Sequence, residues 1–311
     1  MEHLTISLFL TVRCSSRCRH CGAWETQAAR GDMTKEEISR LVAMLKAVPA
    51  VTAVGMTGGE VFVVRDLLHH AVSELREAHL PYTFTTNAYW AKDFEMAKET
   101  LSDFIDTIGI GFSTDSFHQE YIPLMRVVNA VRAAEELSIP YNIRVTTAVG
   151  DDKEKILTDL IDAGIPNPDV VGFAPVMYLG QAKDRISPEE FPDDNPLLPC
   201  LSLRTPFVFS GGALYACCGE AGNIPGEHPL YLGNVFTDGL LPLFAKYDTD
   251  SLLRAVYDIG PRAMWELLGE EPTGERERLL LRSPCGTCRL LFEDASRTKR
   301  VERVVEKAGN K

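Results

Sequence analysis

CSSRCRHC, residues 14–21, is the most informative part of the sequence, and it follows an apolar run over residues 4–12 that predicts a buried β-strand. Its three thiols, Cys14, Cys18 and Cys21, have C-x3-C-x2-C spacing. A structural zinc site or a closed iron–sulfur cluster takes four protein ligands. A compact loop with three thiols can hold a four-iron cluster whose last iron stays open to a substrate or cosubstrate. A zinc knuckle completed by His20 and a closed electron-transfer cluster are the alternative interpretations.

The composition excludes several classes of function. The chain has 311 residues, of which 45% are hydrophobic and 24% charged, as in an ordinary globular protein. It lacks an apolar run of membrane-spanning length and an N-terminal secretory signal. The net charge of −12 argues against a nucleic-acid partner. We therefore expect a cytoplasmic protein that binds neither nucleic acid nor membranes. Its eight cysteines include CxxxCxxC and CxxC clusters, which indicate metal binding rather than disulfides.

Strand and helix patterns alternate over the first 175 residues. The predicted strands cover residues 4–12, 51–57, 82–86, 107–113, 141–148 and 169–174, and the predicted helices cover residues 34–48, 66–79, 93–101, 119–137 and 151–164. Apolar strands that alternate with helices predict a parallel sheet. Six β/α units are too few to close an eight-stranded barrel, so we expect an α/β fold in the form of an open, partial (β/α)6 barrel. Such sheets carry their chemistry at the carboxyl ends of the strands, where CSSRCRHC lies.

The composition changes near residue 180. Residues 180–199 are rich in proline and include Asp193, Asp194 and Asn195, which predicts a linker. Residues 206–210 and 213–217, joined by two glycines, predict a β-hairpin, and three helical stretches follow at residues 238–246, 249–258 and 260–269. We therefore divide the chain into a partial barrel, residues 1–180, and a C-terminal part with linker, hairpin and final helix, residues 181–311.

A second motif, Thr57-Gly58-Gly59-Glu60, directly follows the second predicted strand. Paired glycines allow close approach of a ligand to the backbone, and the glutamate can accept charge-assisted hydrogen bonds from an ammonium group. Together with C-x3-C-x2-C after the first strand, this motif makes residues 4–176 resemble the radical S-adenosylmethionine (SAM) family.

The resemblance implies the cofactors and the reaction. Cys14, Cys18 and Cys21 would hold a [4Fe–4S] cluster whose open iron binds the amino and carboxylate groups of SAM. Reductive cleavage of SAM would give a 5′-deoxyadenosyl radical that abstracts a substrate hydrogen, with electrons from a flavodoxin- or ferredoxin-type reductant. The residues implied in cofactor binding are His20, Gly58, Gly59, Glu60, Asn87, Ser113 and Arg144. Asp115, His118 and Gln119 are candidate substrate contacts, although Asp115 can equally cap a helix.

The remaining cysteines also form a pattern. Cys200, Cys217 and the C-x2-C pair Cys285 and Cys288 resemble the twitch form of the SPASM extension, which implies one auxiliary [4Fe–4S] cluster with four thiolate ligands. A four-cysteine zinc site is the alternative. Cys218 is left over, and because successive strand residues point to opposite faces, it should face away from that cluster.

Cys218 carries the prediction of the reaction. A thiol can donate a hydrogen atom to a carbon radical, and a cysteine directly after an auxiliary-cluster ligand resembles the arrangement in epimerases of ribosomally made peptides. We therefore predict peptide epimerisation with Cys218 as catalytic hydrogen donor; a buried, inert thiol is the alternative. With the same fold, the enzyme could instead oxidise or epimerise an aminoglycoside-like carbohydrate, or cross-link a peptide through a cyclophane or thioether. A non-catalytic iron–sulfur or zinc protein is the third possibility. Because the first strand begins near residue 4, we expect no N-terminal winged-helix domain for leader-peptide capture.

Overall fold

The computed structural model describes residues 4–22, 31–193 and 195–309, so Asp194 of the predicted linker lies outside the described residues. Its centre is one nine-stranded sheet with the order β6-β5-β4-β3-β2-β1-β7-β8-β9. The strands are β1 Leu4–Thr11, β2 Val51–Gly58, β3 Tyr82–Thr86, β4 Gly109–Ser113, β5 Tyr141–Thr147, β6 Val171–Pro175, β7 Phe207–Val208, β8 Ala213–Tyr215 and β9 Tyr231–Asn234.

Strands β1 to β6 are parallel neighbours in chain order, which confirms the predicted α/β partial barrel. Their connections are helical, and α1 packs on α2 while α3 packs on α5. The helices in the described residues are α1 Lys35–Lys46, α2 Arg65–Ala78, α3 Phe94–Ser102, α4 Ser116–Gln119, α5 Leu124–Glu136, α6 Lys153–Asp162, α7 Ala182–Arg185, α8 Val235–Asp238, α9 Leu240–Thr249, α10 Ser251–Asp258, α11 Gly260–Leu268, α12 Glu275–Leu280, α13 Pro284–Phe292 and α14 Ala295–Gly309. Those helices include none that is both long and apolar enough to cross a membrane.

Helix starts follow the local sequence. Thr34 and Glu37 form the predicted capping box of α1, in which each side chain accepts a hydrogen bond from the other residue's backbone N–H. The predicted helix over residues 119–137 begins too early, because α4 ends at Gln119 and α5 starts only at Leu124. Asp115 caps the short α4, and Pro123 precedes α5, where a fixed φ suits a helix start but not a helix interior.

The C-terminal part extends the barrel sheet beyond β1. β7 pairs in parallel with β1, and β8 pairs antiparallel with β7, which confirms the predicted hairpin. Gly211 and Gly212 both have positive φ, and a Cβ on Gly212 would lie 2.4 Å from the Phe236 ring. β9, which the sequence analysis did not predict, forms the outer edge beside β8. The two parts of the chain therefore share one sheet.

Candidate active site

A cavity of about 450 Å³ opens at the carboxyl ends of the parallel strands. Its volume is in the range of small-molecule and cofactor sites. All residues that the resemblance implies for SAM and its cluster line this cavity: Cys14, Cys18, His20, Cys21, Gly58, Gly59, Glu60, Asn87, Ser113 and Arg144. Residues from five different strand ends thus meet in one place.

The three thiols differ in exposure. Cys18 is buried, Cys21 is half-buried and Cys14 is exposed. Ser16 Oγ lies 3.4 Å from both Cys14 Sγ and Cys18 Sγ. Burial raises the pKa of the Cys18 thiol to about 12. Since iron binds thiolate, a bound cluster would have to offset this cost of ionisation, which is the usual coupling of metal affinity to ligand deprotonation.

Gly58 and Gly59 bring the second strand end against the cysteine loop. A Cβ on Gly58 would lie 2.5 Å from Thr11 O, and one on Gly59 would lie 2.3 Å from Arg13 O. Gly59 N–H donates to Thr11 O at 2.7 Å, and Glu60 N–H donates to Arg13 O at 2.9 Å. The glycines are therefore required for a main-chain contact that holds the start of the cysteine loop, in addition to any contact with a ligand.

Glu60 is a buried carboxylate with a complete set of internal donors. Its Oε1 accepts hydrogen bonds from Phe62 N–H at 3.1 Å and Thr86 Oγ1 at 2.8 Å. Its Oε2 accepts from Asn87 N–H at 2.7 Å. Burial raises the pKa of the Glu60 carboxyl to about 7, although these hydrogen bonds oppose the shift. Glu60 therefore ties β2 to the end of β3.

Asn87 continues this connection to the cysteine loop. Its Nδ2 donates to Ser15 Oγ at 3.1 Å and lies 3.9 Å from Cys14 Sγ. The side chain is buried and points from the end of β3 toward the exposed thiol. Glu60, Asn87 and the loop thus form one hydrogen-bonded unit along the cavity wall.

Asp115 and His118 form a pair that the sequence analysis named without predicting its geometry. Asp115 Oδ2 accepts from His118 Nδ1 at 2.8 Å and from Thr146 N–H at 3.1 Å. A ring nitrogen of His118, a ring nitrogen of His20 and Cys18 Sγ all lie within 4.8 Å of one another. Asp115 thus fixes the ring of His118 beside the cysteine loop. The signal in the sequence is the D-x-x-H spacing directly after β4.

His20 presents an unsatisfied polar atom at this site. Burial lowers the pKa of its imidazole to about 4, so the ring is neutral. In the described part of the chain, its Nδ1 is buried and has no hydrogen-bond partner. A buried polar atom without a partner is costly, and a ligand in the cavity could remove that cost.

Ser113, the last residue of β4, lies opposite Arg144 in the middle of β5. A Cβ on Gly111 would lie 3.3 Å from Arg144 Nε, so the glycine makes room for the guanidinium along the strand. Arg144 is exposed, and its Nε donates to Asn142 Oδ1 at 3.4 Å. Its other guanidinium N–H groups suit a carboxylate.

The four other predicted ligands also meet in one small site. Cys200, Cys217, Cys285 and Cys288 line it together, between the start of α13 and the end of β8. Burial is the first cause that raises the pKa of Cys217 to about 12 and those of Cys285 and Cys288 well above the ordinary value. A Cβ on Gly219 would lie 2.9 Å from Cys285 Sγ, so only glycine fits beside this thiol.

Cys218 directly follows Cys217, is exposed, and does not line the four-thiol site. Partial desolvation raises the pKa of its thiol, and the positive charge of Arg144 partly opposes that shift. Arg144 also lines the cavity at the carboxyl ends of the strands, so Cys218 lies within electrostatic range of that cavity's wall. That Cys218 faces away from the four-thiol site stays a prediction.

Gly180 and Gln181 hold the end of the cysteine loop. Gln181 N–H donates to Cys21 O at 3.0 Å. Gly180 has positive φ, and a Cβ there would lie 2.4 Å from the same carbonyl oxygen. The sequence analysis did not assign Gln181 to the site, and the neighbouring glycine is the only signal for this contact.

An open partial barrel with a three-thiol cavity at its carboxyl edge defines a class of iron–sulfur enzymes. The family model described as the radical SAM superfamily matches residues 8–181, and the chain belongs to that superfamily. It is therefore a radical SAM enzyme, and membership implies SAM and a [4Fe–4S] cluster as cofactors.

Similar proteins extend over nearly the whole chain. The protein YydG of Bacillus subtilis (strain 168), whose description names peptide biosynthesis, is 24% identical over 307 residues, which cover 96% of this chain and 94% of YydG. The structure of native anSMEcpe with bound AdoMet superposes with a TM-score of 0.59 at 14% identity, covering 98% of this chain and 100% of that one. Streptococcus suis SuiB bound to precursor peptide SuiA gives a TM-score of 0.60 at 14% identity, covering 93% and 70%. These structures share the fold.

Proposed function

We propose that this radical SAM enzyme epimerises residues of a ribosomally made peptide, with Cys218 as the hydrogen donor. The observation that carries the proposal is the position of Cys218, an exposed thiol within electrostatic range of Arg144 on the SAM cavity. The descriptions of YydG, which names peptide biosynthesis, and of SuiB, which names a precursor peptide, support a peptide as the substrate.

Within this proposal, Cys14, Cys18 and Cys21 hold the SAM-binding cluster. When bound, the cluster and SAM supply a 5′-deoxyadenosyl radical that takes one hydrogen atom from the substrate. The chain's own residues hold SAM in the cavity: Arg144 and Ser113 suit its carboxylate and ribose, and His20 suits the adenine. Glu60 and Asn87 keep the strand ends and the cysteine loop in place through the hydrogen bonds described above.

Cys218 completes the reaction by a balanced hydrogen transfer. Its S–H bond breaks, and a new C–H bond forms on the opposite face of the peptide Cα radical. The remaining thiyl takes up one electron and one proton, supplied by a reductant of the flavodoxin or ferredoxin type. The peptide gains no net electrons and loses none, so the product is an isomer of the substrate.

The four-thiol site fits an auxiliary [4Fe–4S] cluster of the twitch type better than zinc. A tetrahedral zinc ion with Zn–S bonds of about 2.3 Å holds its sulfur ligands about 3.8 Å apart. Among the described residues, no three of these four thiols have sulfur atoms that all lie within 4.8 Å of one another. Burial among apolar side chains suits a closed site without an open position.

The test is turnover in heavy water with precursor peptides encoded near the enzyme's gene. The wild-type enzyme should place one solvent deuterium on the epimerised carbon, because the Cys218 thiol exchanges with solvent. Cys218→Ala and Cys218→Ser should still cleave SAM but should yield no D-residue. Iron content, which should equal that of the wild type, is the control for an intact auxiliary site. A product two hydrogens lighter and without deuterium would instead indicate dehydrogenation or cross-linking.

A further inference from the structure

β6 forms one edge of the nine-stranded sheet, and its outer side has no neighbouring strand in the part of the chain that the structure describes. Val176 N–H, just beyond the strand, donates to Thr147 O of β5 at 2.8 Å. Main-chain groups alternate in direction along a strand, so the even-numbered residues of β6 face β5. Val171, Phe173 and Pro175 therefore direct their main-chain groups to the free edge.

This edge offers a defined set of hydrogen-bonding groups. Phe173 contributes one N–H donor and one carbonyl acceptor, and Val171 and Pro175 each contribute a carbonyl. Pro175 lacks an N–H, and its ring suits a position whose nitrogen faces away from the ladder. Unpaired edge groups of this kind are a template for an additional strand.

The same edge borders the SAM cavity. Gly172 and Ala174 are exposed on the inner face of β6, and Ala174 lines the cavity. A Cβ on Gly172 would have no neighbour nearer than Ile143 O at 3.8 Å, so space beside this part of the strand is open. Arg144, the register partner of Gly172 on β5, lines the cavity as well. Because these side chains are small, little protein separates the free edge of β6 from the cavity in which the radical would form.

We propose that the free edge of β6 binds the substrate as an extended peptide that adds one strand to the sheet. The proposal rests on the peptide substrate proposed above and names how that substrate is held. An added strand lies about 4.8 Å from β6, and every second residue of it faces the cavity. Main-chain hydrogen bonds supply affinity in this mode of recognition, so binding tolerates many sequences but not proline or N-methylated residues at paired positions.

The test uses the full chain with its clusters but without reductant, so that binding is measured in the absence of turnover. The probes are an array of proline-free dodecapeptides and an N-methyl scan of the best binder. N-methylation should weaken binding at alternate positions only. Phe173→Pro, which removes the free N–H, should raise Kd by about tenfold, the usual effect of one hydrogen bond.

A matched variant separates the backbone from the side chain. Phe173→Leu keeps the N–H but removes the ring that packs against Lys153, and its Kd should stay within about twofold of wild type. In hydrogen exchange of the wild type, the Phe173 amide should slow when the peptide binds, whereas the Ala174 amide should already be slow. This measurement does not depend on the folding of a variant.

Several results would overturn the proposal. One is an array in which no peptide binds, and another is an equal Kd for Phe173→Pro and wild type. The others are an N-methyl scan in which weakening does not alternate between positions, and a Phe173 amide whose hydrogen exchange does not slow when the peptide binds. A dimer in sedimentation that Phe173→Pro dissociates would show that a second copy of the chain occupies the edge instead. If peptides bind as proposed but heavy-water turnover gives no deuterium, the epimerase proposal fails and the docking proposal stands. If turnover gives deuterium but peptides do not bind at the edge of β6, the docking proposal fails and the epimerase proposal stands.

Discussion

At the scale of single residues, Glu60 shows how a correctly located residue can have more roles than its motif indicates. The sequence motif predicts a carboxylate that accepts from an ammonium group of SAM. The structure places Glu60 at the cavity but gives both of its carboxylate oxygens donors within the protein. The sequence could not show this, because Thr86 and Asn87 lie 26 and 27 positions away along the chain. Contact with SAM stays a prediction, and the internal hydrogen bonds are the observed role.

The raised pKa of Glu60 predicts a dependence of stability on pH. A carboxyl group whose pKa is about 7 in the folded protein and 4.5 in the unfolded chain holds an extra proton when folded, at pH values between the two. Unfolding releases that proton, so the free energy of unfolding should fall as pH rises from 5 toward about 7. Urea unfolding of wild type and Glu60→Gln across this range measures the effect, which the variant should lack.

The matched control for this prediction is Glu99→Gln, at an exposed glutamate on α3. Its unfolding should depend on pH as that of the wild type does. Identical pH profiles for wild type and Glu60→Gln would show that the buried carboxyl does not titrate in this range, contrary to the prediction.

At the scale of elements, strands β1 to β6 followed from the sequence because each is a short apolar or alternating segment bounded by turn or capping residues. The predicted helix over residues 119–137 starts too early, because apolar periodicity continues across Pro123 while α5 begins only at Leu124. β7 spans only two residues and pairs with β1, about 200 positions earlier in the chain, so no local pattern could reveal that pairing. Apart from Arg144 in the middle of β5, the cavity residues that the family resemblance implied lie at strand ends or in the loops that follow them, which is why the strand predictions located the cavity.

Gly59 tests how the end of β2 controls the cysteine loop. In Gly59→Ala the new Cβ would meet Arg13 O at 2.3 Å, so the backbone leading to Cys14 must move. We expect the variant to lose the SAM-binding cluster while keeping the auxiliary one, which is about half of the iron of two four-iron clusters. Iron and sulfide analysis after reconstitution measures this.

Gly22→Ala is the matched control in the same loop, because a Cβ on Gly22 would have no neighbour within 4 Å. Its iron content should equal that of the wild type. Full iron content in Gly59→Ala would mean that the cysteine loop does not depend on its contact with β2.

At the scale of the whole molecule, one continuous sheet carries both cysteine sites. The predicted boundary at residue 180 marks a change in composition, and the division into two domains stays a prediction. The pairing of β7 with β1 nevertheless joins the C-terminal part to the strand that leads into the cysteine loop. This arrangement fixes the four-thiol site and Cys218 relative to the SAM cavity. The proposed reaction requires such a fixed arrangement, because the radical forms in the cavity and Cys218 donates the hydrogen atom that completes the reaction.

The most direct test of the account is SAM cleavage by a variant in which Cys14, Cys18 and Cys21 are all replaced by alanine. Wild type, reconstituted and reduced, should bind about eight irons as two four-iron clusters and release 5′-deoxyadenosine. The triple variant should keep about four irons at the other site and release no 5′-deoxyadenosine above background. Cleavage at the wild-type rate by the triple variant would contradict the assignment of this loop as the place where the radical is made.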